Sequence, residues 1–141
     1  MLEYADVVFG VEGFDSGLSA YAEDKFRTAA EKMRASYPGL KVLATTLRDI
    51  HSASRHSRSA VCLADGQVLK ASDRANADVL NRVGSGDAFA AGLIYGCLND
   101  KPFTESIEIG VAAAVLSLAS PGDGLSARVE EIERGVNAAI R

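Results

Sequence analysis

Tryptophan is absent from the 141 residues, and there are only two cysteines, two methionines and three prolines. Cys62 and Cys97 lie in unrelated segments without metal-ligand spacing, which excludes a thiolate metal site and a disulfide framework. They read as free buried thiols in a reducing compartment. No apolar run approaches the roughly 20 residues that a membrane span requires. The first nine residues also lack the basic start and long apolar stretch of a secretory signal. Basic excess is missing too: the net charge is -4, which leaves a nucleic-acid partner no electrostatic footprint. These absences lead to the expectation of a cytoplasmic protein without a membrane or nucleic-acid partner.

Hydrophobic residues make up 48% of the chain and charged residues 24%, a balance that suits a packed core rather than disorder. Residues 5–10, "ADVVFG", are β-branched and end at glycine, as a buried strand does. Residues 19–36 carry the clearest helical periodicity. Tyr21, Phe26, Ala29, Ala30 and Met33 share one face, and Ser19 is placed to cap the start. "KVLATT" at 41–46 reads as a buried strand, and 47–58 as a polar, irregular, basic loop. Asp65-Gly66 supplies the positive φ angles of a two-residue turn between strands at 59–64 and 67–72. A looser stretch, 73–83, follows. Helical patterns then cover 87–98, 104–119 and 127–140, with Pro102 before the second and Ser126 able to cap the third. This is α/β order, but with a thin sheet: two parallel strands and a hairpin leave exposed edges. The chain reads as a single partial domain over 1–141, the second half of something larger.

The densest chemistry sits at 82–96, "RVGSGDAFAAGLIYG". Two glycines allow a backbone to approach a ligand closely, or to adopt torsions closed to other residues. A helix starting at Gly86 or Asp87 would aim its free N–H groups, and its positive dipole end, over this loop. Asp87 would stand beside a bound phosphate, placed to take a proton from an incoming hydroxyl. The residues also describe a plain loop with an acid in the first helical turn, the commoner outcome for such a pattern. Two other phosphate loops are excluded: no G-x-x-x-x-G-K-[ST] occurs, and Phe89 replaces the third glycine of G-x-G-x-x-G. Gly92 and Gly96 cost a helix about 1 kcal/mol each against alanine, so close packing has to offset them.

"NRVGSGDAFAAGLIYG" resembles the C-terminal signature of the ribokinase-like carbohydrate kinases, D-T-x-G-A-G-D followed by a small-residue helix. Arg-Val before the glycines, "TLRDIHSAS" at 46–54 and "SPGDG" at 120–124 are similar to the 2-keto-3-deoxygluconate kinase branch. The resemblance covers nearly the whole chain. It implies an incomplete ribokinase-like three-layer αβα fold, with the lid absent, acting in ATP-dependent phosphoryl transfer to a sugar acid. By that resemblance Asp87 matches the catalytic base, and Gly84, Ser85 and Gly86 match the anion hole for the γ-phosphate. Thr46, Leu47 and Arg48 match the nucleotide-binding strand end, with Ser54 close by, and Asp123 matches a substrate-facing turn. ATP and Mg2+ are the implied cofactors. A non-catalytic nucleotide-binding remnant, or another sugar kinase acting on ribose or fructose, remains open.

Three departures stand out. Asn81 occupies the position of the signature's first aspartate. "VEGF" at 11–14 replaces an N-x-x-E motif that helps hold the magnesium water network, with Val11 for the asparagine and Phe14 for the acid. Family members also run to roughly twice this length. Their first half carries most sugar contacts, so a homo-oligomer, or pairing with that half, is expected. His51 and His56 read as solvent-exposed, Arg48, Arg55 and Arg58 as a local basic cluster, and Glu130, Glu131 and Glu133 as an exposed helix face.

Overall fold

The computed structural model describes residues 1–140. After a short 3-10 turn, Leu2–Tyr4, come β1 (Val7–Phe9), α1 (Glu23–Ser36), β2 (Val42–Ser52), β3 (Arg55–Ala64), β4 (Gln67–Lys70) and β5 (Arg74–Asp78). Three helices close the chain: α2 (Ser85–Leu98), α3 (Phe103–Leu118) and α4 (Val129–Ile140). β1 pairs parallel with β2, as a strand-helix-strand unit requires, and the β2–β3, β3–β4 and β3–β5 pairings are antiparallel. The order is β1-β2-β3, with β4 and β5 sharing the far edge of β3.

Strand alternation divides the core between the two sheet faces. Leu43, Leu47, Val61 and Leu63 point to α1 and meet Phe26 and Ala30. Val42, Ala44, Ala60, Cys62 and Ala64 point the other way, to Phe89 and Leu93 of α2 and Ile107 and Val111 of α3. α4 lies on the outside of α3 through Val136 and Ile132. The result is three layers, helix, sheet and helix. Burial pushes the Cys62 thiol up to about 12, so it behaves as a small hydrocarbon. Cys62 and Cys97 are both free.

The packing of α2 on α3 explains the small residues of 88–96. A Cβ on Gly92 would meet the Gly110 Cα and the Ile109 carbonyl at 2.9 Å, so the two backbones touch where neither has a side chain. A helix helped by propensity alone would not carry such residues.

Several expectations need correction. The stretch 47–58 is not an irregular loop: β2 runs on to Ser52 and β3 starts at Arg55, forming one long hairpin. Residues 74–78 of the looser stretch form β5. The sheet therefore has five strands, although the β1 edge is only three residues long. Ser19 does not cap α1, which starts behind Ala22; its N–H and hydroxyl donate to the Asp49 carboxylate instead, at 2.9 and 3.3 Å. Ser126 lies ahead of α4, whose first turn is closed by the Glu131 carboxylate accepting from the Arg128 N–H at 2.7 Å. His56 is 1% exposed, contrary to its reading as a surface histidine, because it points from β3 toward the α2–α3 layer.

Candidate functional site

At the C-terminal end of β1 and β2, the glycine loop turns the chain into α2. Gly84 sits at φ +84°, and its α-carbon faces the Asp123 carbonyl so closely that a side chain would collide with it. Glycine is required there on both counts. The neighbouring turn is tied to the loop by Asn81, whose amide donates to the Gly122 carbonyl at 2.5 Å. The Asn81 carbonyl oxygen accepts from the Val83 N–H at 3.0 Å. Asn81 is thus spent on holding the loop.

The first helical hydrogen bond of α2 runs from the Ala88 N–H to the Gly84 carbonyl, at 2.9 Å. The amides of Ser85, Gly86 and Asp87 precede it and are the free donors of the helix start. Beside them opens a cavity of about 170 Å³ lined by Thr46, Arg48, Arg58, Ser59, Ser85, Gly86, Phe89, Val111 and Ala114. A Cβ on Gly86 would meet nothing within 4 Å, so the loop is bare on its open side. Arg48 and Arg58 supply the positive charge of the wall. Arg58 is 7% exposed, and its Nε has no hydrogen-bond partner among the described residues. Burial, then Arg48 and Arg82, lower the Arg58 pKa. The same crowd of cations, after burial, lowers the pKa of His56, neither of whose ring nitrogens has a partner among the described residues. Backbone donors, a helix dipole and unpaired guanidinium groups converge on one hollow, which suits a phosphate group. A hollow of similar size between α2, α3 and α4, about 180 Å³, is walled by Ala88, Tyr95, Ile109, Ile132 and other mostly apolar groups, and its one charged residue, Glu133, repels anions.

The cavity brings together Thr46, Arg48, Ser85 and Gly86. Asp87 follows Gly86 directly and is exposed in the first turn of α2. Asp123 meets the loop through its backbone beside Gly84, with its residue exposed. Ser54 lies at the exposed tip of the β2–β3 hairpin, outside the cavity. Leu47 needs correction: its side chain is 0% exposed and packs toward α1, because strand alternation turns it away from Thr46 and Arg48. Only its backbone is on offer to a ligand. Phe89, Val111, Ala114 and Ser59 carry no signal of a site in the sequence; they come from the buried faces of α2 and α3 and from β3, where nothing in the residue type marks a ligand wall. Arg58 had a signal, the local basic cluster.

The chain belongs to the pfkB family of carbohydrate kinases. That family's model matches residues 53–130, a span reaching from the hairpin tip to the start of α4. A 2-dehydro-3-deoxygluconokinase of Thermotoga maritima has the same fold at TM-score 0.84 and 29% identity, over 96% of this chain and 43% of its own. A PfkB family carbohydrate kinase of Listeria grayi follows at TM-score 0.80 and 22% identity, over 99% of this chain and 42% of its own. A 5-dehydro-2-deoxygluconokinase of Geobacillus kaustophilus is 43% identical over 44 residues, 31% of this chain and 13% of that protein. The chain therefore has the ribokinase-like αβα architecture and spans about two fifths of the length of these solved kinases. Among the described residues, no helix is long and apolar enough to cross a membrane.

Magnesium, which the family implies, does not fit the residues present. No group of three or more His, Cys, Asp or Glu side chains is placed to hold a metal among the described residues. Val11 is buried in the α1 layer, and Phe14 stacks edge-on to Phe26 at 5.2 Å, so both serve the core. Glu12 borders a separate hollow with Ala29, Met33 and Tyr37. The charged lining of the phosphate-sized cavity is arginine.

Proposed function

We propose that this chain is the nucleotide-binding and catalytic-base portion of an ATP-dependent sugar-acid kinase. The reaction moves the γ-phosphoryl of ATP to the primary hydroxyl of 2-keto-3-deoxygluconate. The observation that carries this reading is the cavity between Thr46, Arg48 and Arg58 on one side and the Ser85–Gly86 helix start on the other. In this reading, the Ser85, Gly86 and Asp87 amides hold the charge that spreads over the transferred group. Asp87, standing free in solvent at the same helix start, takes the proton from the sugar hydroxyl as the new phosphate ester forms. Thr46 and Arg48 orient the nucleotide from the strand end, and Asp123 is given to the sugar by the family resemblance alone. The name of the Thermotoga kinase supports the choice of sugar acid.

A coupled ADP-release assay with the keto acid tests this, run beside Asp87→Asn. Turnover that disappears in the variant while ATP binding persists is the expected result; equal turnover in both removes Asp87 from the reaction. Positioning accounts for much of phosphoryl-transfer catalysis, and the chain spans only part of its relatives. A second reading, nucleotide binding without turnover and in partnership with another chain, is favoured by two features. Val11 and Phe14 are committed to the core, and β1 leaves a three-residue edge with Phe9 39% exposed. Light scattering of the purified chain distinguishes a self-paired molecule from a monomer that requires a different partner.

A further inference from the structure

Three arginines stand in one row across the sheet. Arg48 on β2 is in register with Arg58 on β3, which is in register with Arg74 on β5. Directly opposed like charges destabilise a strand pair, and a buried guanidinium without a partner is costlier still. Arg74 is answered by Glu108 at 2.9 Å. Arg48 and Arg58 have no carboxylate within ion-pair distance among the described residues. Arg82, His51 and His56 add further basic groups, and the nearest acid in sequence to the helix start, Asp87, is turned out to solvent. The row opens onto the Ser85–Gly86 helix start, where the donor-rich end of α2 repels cations as well.

We propose that Arg58, together with Arg48, is the phosphate-binding pair of this cavity, and that it stands in for a divalent ion, so that the chain binds polyphosphate without magnesium. The inference rests on the nucleotide reading of the cavity given above. Val11 and Phe14 serve the core, Asn81 is engaged in the loop and Glu12 borders a separate hollow, whereas two guanidinium groups match the oxygens of a phosphate by bidentate hydrogen bonding. The charge that the fold leaves uncompensated is of the sign, and in the place, that a triphosphate neutralises.

The test is calorimetric titration of the full chain with ATP and with inorganic tripolyphosphate, each in EDTA and in excess magnesium. Both ligands should bind in EDTA at least as tightly as in magnesium. Arg58→Met and Arg48→Met should each weaken tripolyphosphate binding by about tenfold or more, the effect of losing a charge-assisted contact. Arg58→Lys, which keeps the charge and loses the fork, should fall between. Without ligand, Arg58→Met should melt at or above the native temperature, since it relieves an uncompensated buried charge; a structural arginine would give the opposite. Arg48 is exposed, so its variant keeps the test alive if Arg58→Met does not fold. Binding that needs magnesium, or that is unchanged in both methionine variants, overturns the inference and leaves the nucleotide site standing. Failure of ATP and tripolyphosphate to bind under every condition overturns both.

Discussion

Arg58 and Arg74 are neighbours across β3 and β5, and both are largely buried, yet their surroundings are opposite in kind. Arg74 donates to Glu108 at 2.9 Å and to the Gly135 carbonyl at 2.8 Å. Glu108 also accepts from the Ser72 N–H at 2.6 Å, which closes a network joining β5, α3 and α4. Burial lowers the Arg74 pKa and Glu108 pulls it back up. Arg58 has no such answer, and the cations around it only add to the effect of burial. The lesson is that burial of a charge does not by itself reveal its purpose. A partnered arginine fixes how elements pack, and an unpartnered one beside free amides marks where an anion belongs.

The sharpest way to break the contrast is to put Arg74 in the condition of Arg58. Glu108→Ala should cost about 3–5 kcal/mol, because it leaves a buried guanidinium alone. Chemical denaturation measures it. A swap of both partners for hydrocarbon, Arg74→Met with Glu108→Leu, should recover most of that loss. If the single variant is as stable as the native chain, the two arginines do not differ in the way described.

The next effect in size concerns the scaffold behind the cavity. Gly92→Ala should cost about 1–3 kcal/mol, since its methyl would press on the α3 backbone at Gly110. Gly86→Ala faces open space and should leave the melting temperature nearly unchanged while narrowing the phosphate cradle. Calorimetry on both variants, with and without tripolyphosphate, separates packing from binding.

The smallest effect is one of pH. Burial, then Arg58, Arg82, Arg48 and His51, hold the His56 imidazole below its usual pKa. The folded chain therefore binds that proton more weakly than the unfolded chain. Its contribution to stability is complete above the ordinary histidine value of about 6.5 and declines as pH falls below it toward the folded value. Melting curves of the native chain and His56→Leu, taken from neutral to mildly acid pH, should diverge in slope. Parallel slopes would mean that His56 titrates freely.

Where the hydrophobic pattern was continuous, the elements were legible. Helix 103–118 and the Asp65–Gly66 turn, with φ of +50° and +72°, match their reading closely. The outer part of the β2–β3 hairpin was not legible, because polar residues there line a cavity on one face and meet water at the tip. Alternation between core and solvent, the signal that marks a strand, disappears when the inner face is itself polar. The same polarity hides the burial of His56.

The sequence alone was enough to set Gly84 of the loop and the small-residue helix behind it, since the first depends on a torsion and the second on sizes that larger residues do not permit. Which charges meet was decided by the tertiary structure alone. Positions 48, 58 and 74 become one row only through strand register, and Glu108 reaches just one of them because α3 crosses the sheet where it does. Long-range register follows from how whole faces pack, and no local run of residues encodes it.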